Sequence, residues 1–309
     1  MYTKTVEVVE VSPRDGLQNE KIEVLTRDKI GLISRAIDSG VRRIEVASFV
    51  NPRAVPQMAD ADDVCAALPE HDDVTYIGLV MNQRGADRAL ATGRIDQLGA
   101  VCVATDTFAM RNQGQTSDGS VDAAKAIIAS AKAAGKTAQA TIAASFGCPF
   151  EGEVQEARVI AMARSLAEVE PVEIALADTI GVGNPAHVAR LMTGVKAAIG
   201  DIPIRVHLHN TRGTGLANVW AAIEAGAATI DASIGGLGGC PFAPGAAGNV
   251  ATEDVQYMLQ RAGIETGLNL TKLIETNHWL SPIMGKQLPA MVAKSGGFPA
   301  AQSQEKEIA

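Results

Sequence analysis

The chain has 309 residues, a length that fits either two ordinary domains or one large α/β barrel. Apolar residues make up 47% and charged residues 20%, which excludes a disordered chain, because such chains bury too little apolar surface to fold. The net charge of −8 argues against a protein that coats nucleic acid, so we expect no nucleic-acid partner. A local basic pocket for an anionic ligand is still compatible with this charge.

Several features of the sequence favour a cytoplasmic protein. The first residues lack the uninterrupted apolar segment of a secretory signal and the arginine-rich character of a transit peptide. No stretch of about 18 consecutive apolar residues occurs, so we expect no membrane partner. The four cysteines are far apart and form no CxxC pair, which argues against a zinc ribbon and against a disulfide framework.

Short β-branched segments alternate with longer amphipathic ones as far as about residue 262. The predicted strands lie at 6–11, 42–48, 74–80, 97–103, 137–143, 172–177, 204–208 and 229–234. In the segments between them, apolar residues recur every three to four positions, which predicts helices, for example at 27–40, 120–135 and 154–170. Several of these helices end in glycine, as helices commonly do.

Eight strand–helix units predict an α/β protein with a closed (β/α)8 TIM barrel. A doubly wound sheet is the alternative, but its first turn is normally glycine-rich, and here that turn reads SPRDGLQNE without GxGxxG. Two more helices are predicted near 270–281 and 285–295, before a polar tail. We therefore expect a catalytic barrel over residues 1–264 and a short C-terminal appendage of helices and polar tail, residues 265–309, packed on the barrel.

Active sites of such barrels form at the carboxyl ends of the strands, where unusual polar residues cluster in this sequence. Arg14 and Asp15 follow the first predicted strand directly. An isolated RDG sequence is more often a polar turn that caps the next helix, so this motif needs support from other clusters.

The seventh strand ends in the sequence His207-Leu208-His209. Residues two apart in a strand face the same side, so the two imidazoles can reach one ion. Asp15 and Asn249 would add a carboxylate and an amide oxygen. This mixed set of donors, with positions left open, favours Mg²⁺ or Mn²⁺, with Zn²⁺ or Co²⁺ as the alternatives.

A glycine-rich segment, residues 235–249, follows the eighth strand and indicates either a mobile loop, a phosphate cradle or a plain connection. Cys240 within it would lie partly exposed beside the metal, which favours a reactive thiol. Cys148 occupies a similar loop after the fifth strand. Cys65 and Cys102 fall in a predicted helix and a predicted strand, where we expect buried thiols.

Two further acidic residues are candidates for the site, one inside an apolar strand and one directly after another strand. Glu45 would be costly inside the barrel unless paired, and Arg14 is its natural partner; the alternative is an outward glutamate that meets a helix lysine. Asp178 and Thr179 follow the sixth strand, where Asp178 would either cap a helix or support the site from behind.

Taken together, these motifs resemble those of the hydroxymethylglutaryl-CoA lyases, within the metal-dependent lyase and Claisen-condensing barrel enzymes. The likeness covers about residues 6–285 and rests on VEVSPRDGLQNEK (9–21), IEVASFVNPRAVPQMAD (44–60), GCPFEG (147–152), ADTIGVGNP (177–185), HLHNT (207–211), GGLGGCPFAPGAAGNVATED (235–254) and GIETGLNL (263–270). The RDG and HxH motifs also fit isopropylmalate-synthase-like relatives, whereas GGLGGCP with the downstream Gly-Asn is characteristic of the lyases.

The resemblance implies a divalent ion on Asp15, His207, His209 and Asn249, and a homodimer. It also implies that Arg14 stabilises enolate charge, that Glu45 is the active-site glutamate, and that Cys240 lies on a loop closing over the substrate. Asp15 or His207 would be the base, with Cys240 as the acid or a relay to it. The residues expected on the substrate side are Arg14, Gln18, Lys21 (toward coenzyme A), Thr141, Asp178, Thr179 and Arg212.

The sequence departs from the family pattern at two places. Asn210-Thr211-Arg212-Gly213 stands where the family has Asp-Thr-Tyr-Gly, and Thr141 stands where it has a tyrosine. The changes alter the charge and volume of the pocket, which favours a different or bulkier acyl group.

The predicted function is therefore metal-dependent cleavage of 3-hydroxy-3-methylglutaryl-CoA, or a close 3-hydroxyacyl-CoA analogue, to acetyl-CoA and a keto acid such as acetoacetate. The alternatives are an aldolase or Claisen-condensing enzyme that acts on free keto acids, and a catalytically inactive barrel that binds a metabolite.

Overall fold

The computed structural model describes residues 5–239 and 248–299, in which eight parallel strands form a closed barrel in sequence order. Strand β8 pairs with β1 and closes it. The strands are β1 (Glu7–Glu10), β2 (Arg43–Ser48), β3 (Thr75–Val80), β4 (Gln97–Val103), β5 (Thr137–Ala143), β6 (Ile174–Asp178), β7 (Ile204–Leu208) and β8 (Thr229–Ala232). Each overlaps one predicted segment, so the predicted (β/α)8 barrel is confirmed.

Helices connect the strands on the outside of the barrel. They are α1 (Thr26–Asp38), α2 (Ala61–Ala66), α3 (Gln83–Ala91), α4 (Asp106–Gln113), α5 (Ser117–Ala133), α6 (Glu156–Ala167), α7 (Pro185–Ile199), α8 (Gly215–Glu224), α9 (Thr252–Arg261), α10 (Leu270–Ile283) and α11 (Met291–Ser295). A π-helical turn, Ser12–Gly16, follows β1, and 3-10 turns occupy Pro56–Met58 and Ile234–Gly236. None of the helices in the described part of the chain is long and apolar enough to cross a membrane.

The prediction of a helix over 285–295 is wrong for its first half. Gly285, two residues after the end of α10, adopts a positive φ of 59°, a conformation that a helix cannot continue through. Proline at position 289 then lacks the backbone N–H that a helix interior needs, and α11 begins only at Met291.

Side-chain caps explain where several helices begin. Asn82, Thr116 and Asn184 each accept a hydrogen bond from the backbone N–H three residues later, at 2.9 to 3.1 Å. These bonds satisfy N–H groups that have no partner within the helix. The loop-to-helix junctions above the carboxyl ends of the strands are therefore fixed by local sequence.

The barrel has two cores of different chemistry. Between the strands and the helices lies a large apolar core of aliphatic side chains such as Leu98 and Ile128. Inside the barrel, Val9, Val11 and Ile77 form only a small apolar cluster. The interior also holds charged side chains that pair with one another, among them Glu173, Arg205 and Asp231, which matters because unpaired buried charges are costly.

The C-terminal helix α10 packs against α1. The N–H of Asn269 donates to the carbonyl oxygen of Ser39 at 2.8 Å, and the Arg35 guanidinium lies 4.8 Å from the Trp279 ring centroid. Gly40, at the end of α1, is part of this contact, because a Cβ there would lie 2.3 Å from the Gly267 carbonyl oxygen.

We expect Gly40→Ala to lower the free energy of unfolding by about 3 kcal/mol, from a strained backbone plus this clash. The matched control is Gly135→Ala, since Gly135 also has a positive φ, of 69°, but has open space at its Cβ position. Its loss should be about 1 kcal/mol. Urea unfolding measures both, and equal losses would contradict the packing of α10 on α1.

Candidate active site

The predicted metal donors meet at the carboxyl-terminal mouth of the barrel. Asp15 lies in the π-helical turn after β1, His207 in β7, and His209 directly after β7. One donor atom from each lies within 4.8 Å of the others. The arrangement follows from topology, because β1 and β7 both neighbour β8, and side chains two apart in β7 share the inner face.

The two imidazoles present the same nitrogen to this cluster. Nε2 of His207 lies 3.1 Å from Nε2 of His209 and 3.9 Å from Oδ2 of Asp15. Burial, and then the nearby His207, lower the pKa of His209 to about 4, so His209 is neutral at pH 7. Burial also opposes protonation of His207, but the hydrogen bond with Asp231 and the charge of Asp15 outweigh it and raise its pKa.

Asn249 reaches the same cluster through a β-bridge with His209. Its Nδ2 donates to Asp15 Oδ2 at 2.7 Å and to the Leu237 carbonyl oxygen at 3.0 Å. Its buried Oδ1 has no hydrogen-bond partner among the described residues. Gly238 must be glycine for this packing, since a Cβ there would lie 2.3 Å from Asn249 Nδ2. A free amide oxygen beside a carboxylate and two imidazoles suits a divalent cation.

Arg14 joins the metal cluster to the barrel interior. Its Nη1 lies 2.6 Å from Asp15 Oδ1, and its Nε donates to Glu45 Oε1. Glu45 is thus inside the barrel and paired with Arg14, the partner expected from the sequence. Although burial opposes ionisation, Arg14 and then His207 hold the pKa of Asp15 well below its usual range, so Asp15 is a carboxylate at neutral pH.

Two residues that the sequence patterns did not single out support His207. Asp231 in β8 places Oδ2 3.0 Å from His207 Nδ1, and Arg205 in β7 donates from Nε to Asp231 Oδ1. Both lie in segments that were predicted as strands. An ionisable side chain inside an otherwise apolar strand was the signal that singled out Glu45, and it applied equally here.

Two buried glutamate side chains, also missed from the sequence, anchor the loops around the site. Glu10, the last residue of β1, accepts hydrogen bonds from the backbone N–H of Ser12 at 2.8 Å and of Ile234 at 2.9 Å. Glu253, in α9, accepts from the N–H of Gly235 at 3.0 Å. Burial raises the pKa of Glu10, and that of Glu253 to about 8. The turn that carries Asp15 and the start of the glycine-rich segment are therefore held to each other.

Two of the residues expected on the substrate side bind the loops that follow β5 and β6. Asp178 accepts from the N–H groups of Val182 and Gly183, both at 2.9 Å, and burial raises its pKa. It therefore caps its own loop, whereas helix α7 is capped by Asn184. Thr179 Oγ1 accepts from the Ala144 N–H at 2.9 Å.

Arg212 is exposed, and its guanidinium binds backbone carbonyl oxygens. Its Nη1 donates to the carbonyl oxygens of Ile180 and Gly181 at 2.7 and 3.0 Å. In this structure Arg212 therefore fixes the loop after β6 to the loop after β7.

The other three residues predicted to contact the substrate differ in their exposure to solvent. Thr141, half-buried in β5, has its hydroxyl 3.2 Å from Gln139 Oε1. Gln18 follows the π-helical turn, and its Oε1 is buried without a hydrogen-bond partner in the described structure. Lys21 is exposed on the outer rim. The structure therefore brings together the metal donors with Arg14 and Glu45 but places Lys21 and Arg212 at the periphery.

The cysteines fall into two groups. Cys65 and Cys102 are buried, as expected, and burial raises the pKa of each thiol to about 12. Cys148 is also buried, with Sγ 3.1 Å from Thr105 Oγ1, so it is less accessible than its loop position indicated. Cys240 lies outside the described residues.

Comparisons with known proteins show the family to which this chain belongs. The HMGL-like family model matches residues 5–280. A hydroxymethylglutaryl-CoA lyase of Bacillus subtilis is 40% identical over 94% of this chain and 96% of its own length. An (R)-citramalyl-CoA lyase of Chloroflexus aurantiacus is 41% identical over 95% of each chain.

Two solved structures have the same fold. The HMG-CoA lyase of Bacillus subtilis superposes with a TM-score of 0.92 at 40% identity, covering 95% of this chain and 98% of its own. An HMG-CoA lyase of Acinetobacter baumannii, solved with coenzyme A and 3-methylmalate, gives 0.91 at 39% identity over 97% and 99% of the two chains. The chain is therefore a member of the HMGL-like family, in which its curated relatives include carbon–carbon lyases.

Proposed function

We propose that this chain is a divalent-metal-dependent carbon–carbon lyase that cleaves 3-hydroxy-3-methylglutaryl-CoA, or a close 3-hydroxyacyl-CoA analogue, to acetyl-CoA and a keto acid. The convergence of Asp15, His207, His209 and Asn249 beside Arg14 is the observation that carries this proposal. The names of the family relatives support the reaction class. A homodimer and a cytoplasmic location stay predictions of the sequence.

The proposed reaction moves one proton and one electron pair across the substrate. The hydroxyl loses its proton to a base, the carbon–carbon bond breaks as the keto group forms, and the electron pair passes to the thioester as an enolate. We propose Asp15 as the group that accepts the proton, because His207 would use Nε2 for the cation and Nδ1 for Asp231. Mg²⁺ or Mn²⁺ bound by the four donors would lower the hydroxyl pKa and orient this part of the substrate.

Arg14 supplies the fixed positive charge that the enolate needs. Its pKa is raised because Glu45 and Asp15 outweigh the cost of burial, and both carboxylates hold the guanidinium in place. A preorganised cation stabilises charge that appears only in the transition state. Protonation of the enolate carbon completes acetyl-CoA, and we propose Cys240 as the acid or a relay to it.

A cationic cavity on the rim supports a coenzyme A thioester as the substrate class. It has a volume of about 710 Å³, lies after β2 and β3, and is lined in part by Arg53, Arg84 and Arg88. Arg88 is already paired with Asp62 at 2.8 Å. Arg53 and Arg84 are exposed and form no ion pair with any residue the structure describes. Guanidinium groups bind phosphate well, and coenzyme A carries several phosphates.

Lys21 lies near the cationic cavity because the side chain of Gln57 binds the backbone on both sides of Lys21. Gln57 donates from Nε2 to the carbonyl oxygens of Glu20 and Ile22, at 2.7 and 2.8 Å. Gln57 belongs to the segment between β2 and α2 that also carries Arg53. Lys21 and Arg53 therefore provide positive charge on a chain whose net charge of −8 would otherwise repel an anion.

A shorter acyl group is a second candidate substrate. One relative at 41% identity is named an (R)-citramalyl-CoA lyase, and citramalyl-CoA lacks one methylene of the hydroxymethylglutaryl group. Arg212 donates its hydrogen bonds to backbone carbonyl oxygens. We therefore propose that Thr141, rather than Arg212, contacts the part of the acyl group in which the two substrates differ.

Purified protein with Mg²⁺ or Mn²⁺ should release acetyl-CoA from 3-hydroxy-3-methylglutaryl-CoA, from citramalyl-CoA, or from both, and chelation should abolish release. The matched variants are His209→Ala, which removes a proposed ligand, and His187→Ala, whose imidazole packs on Phe146 away from the donors. We expect at least 100-fold loss for the first and less than 3-fold for the second.

No cleavage across a panel of 3-hydroxyacyl-CoA thioesters would contradict this function. Cleavage of the free keto-acid adducts in preference to the thioesters would instead favour an aldolase or condensing enzyme. Metal binding without turnover of either class would favour an inactive metabolite-binding barrel.

Removing the rim cations should weaken substrate binding without slowing the chemistry. We expect Arg84→Ala and Arg53→Ala each to raise KM about 10-fold with kcat within 2-fold, because the phosphates contact the protein equally before and during the reaction. Arg190→Ala, an exposed arginine on α7 remote from this cavity, is the control and should change neither constant. A fall in kcat with unchanged KM would contradict the assignment of the cavity.

A further inference from the structure

A chain of alternating charges runs along the inside of the barrel and ends at a metal donor. It consists of Arg43, Glu173, Arg205, Asp231 and His207, and we call it the axial ion-pair chain. Arg43 bonds both Glu173 and, at the amino-terminal end of the barrel, Glu7 at 2.7 Å. Glu173 also lies 3.3 Å from Nη1 of Arg205. Each charge in the interior thus has an opposite charge on either side.

Arg205 is the most enclosed member of the axial ion-pair chain. Only 1% of its surface is exposed, so its guanidinium depends entirely on protein partners. Nε donates to Asp231 Oδ1 and Nη1 reaches Glu173. Because the guanidinium is planar and rigid, these two bonds fix which oxygen of Asp231 faces Arg205 and which is left for His207.

The second carboxylate oxygen of Asp231, Oδ2, determines which nitrogen of His207 carries the proton. Asp231 Oδ2 lies 3.0 Å from His207 Nδ1 and, as a carboxylate oxygen, can only accept a hydrogen bond. The other oxygen, Oδ1, accepts from Nε of Arg205, so each oxygen of Asp231 faces one N–H group. The proton of neutral His207 therefore resides on Nδ1, and the lone pair resides on Nε2, which faces His209 and Asp15.

We propose that Arg205 and Asp231 are positioning residues that keep His207 in the Nδ1–H tautomer, so that its Nε2 is free to bind a cation. The cation in this statement rests on the proposed function, whereas the tautomer does not. Neither residue touches the donor nitrogens, so both act only through the far side of the imidazole. Carboxylates in this position raise metal affinity in other proteins by about 10- to 100-fold.

Asp231→Asn is the sharpest variant, because it keeps the size of the side chain and reverses one bond. Arg205 still requires an acceptor, so the amide oxygen faces Arg205 and the amide N–H group faces His207 Nδ1. Nδ1 must then accept, and the ring proton moves to Nε2, where it blocks the ligand position. The same change of tautomer disables histidine in a serine-protease triad whose aspartate is replaced by asparagine.

A second substitution should reverse the effect. In Arg205→Met/Asp231→Asn the amide is released from the guanidinium and can rotate, so its oxygen can again accept from His207 Nδ1. Rescue by removing a buried charge is not expected if Asp231 and Arg205 only stabilise the barrel. Arg43→Met is the matched control, because it removes a charge of the axial ion-pair chain that does not contact Asp231.

The experiment combines ¹⁵N spectra of histidine-labelled, metal-free protein with Mn²⁺ titration by calorimetry, after circular dichroism shows that each variant is folded. At a pH above the pKa of His207, where the ring is neutral, we expect a protonated Nδ1 and a bare Nε2 for His207 in the unsubstituted protein and in Arg43→Met. Asp231→Asn should show the reverse pattern and bind Mn²⁺ about 10- to 100-fold more weakly, and the double variant should regain at least part of both.

An unchanged tautomer and Mn²⁺ affinity within 3-fold in Asp231→Asn would overturn the proposal. The spectra also show whether the positioning role or the proposed metal site has failed, because the tautomer is measured without a metal. If the tautomer reverses but the unsubstituted protein binds no Mn²⁺, positioning is supported and the metal assignment fails. If Mn²⁺ binds but Asp231→Asn leaves the tautomer unchanged, the metal site stands and the positioning role fails.

Discussion

The ion pair between Arg205 and Asp231 is the interaction on which the interior of this barrel depends. A barrel of this size usually fills its centre with layers of branched apolar side chains. Here the interior also holds paired charges, and Arg205, which is 1% exposed, lies between Glu173 and Asp231. Transferring such charges from water costs several kcal/mol each, so the arrangement is stable only while every charge keeps its partner. The ion pair with Asp231 makes the burial of Arg205 possible. The same Asp231 binds His207 Nδ1 and so leaves His207 Nε2 facing the other metal donors.

This organisation separates two tasks in space. Along the axis of the barrel, Asp15, His207 and Arg14 form a compact, enclosed cluster suited to moving a proton and stabilising an enolate. On the rim, exposed arginines line a cavity outside that cluster. With a net charge of −8, these arginines would attract the proposed anionic thioester locally to a surface that repels it overall.

Much of this architecture could be predicted from residues that are close in sequence or alternate within one strand. The β-branched segments located all eight strands, and the spacing of His207 and His209 placed both rings on one face. Arg205 and Asp231 carry the same signal as Glu45, a charge inside a short strand, but the sequence alone does not show which partner each one has, because their pairing depends on the alignment of β7 with β8. For the same reason the sequence showed that Arg212 departs from the family but could not show that backbone carbonyls of another loop would bind it.

The position of a bound ion tests the central claim most directly. Crystals grown with Mn²⁺ should give a single strong anomalous peak about 2.0 to 2.3 Å from Asp15, from Asn249 Oδ1 and from Nε2 of both histidines. Nδ1 of His207 should remain hydrogen-bonded to Asp231. A peak at another place, or coordination through Nδ1 of His207, would contradict a metal site aimed by the ion pairs of the barrel interior.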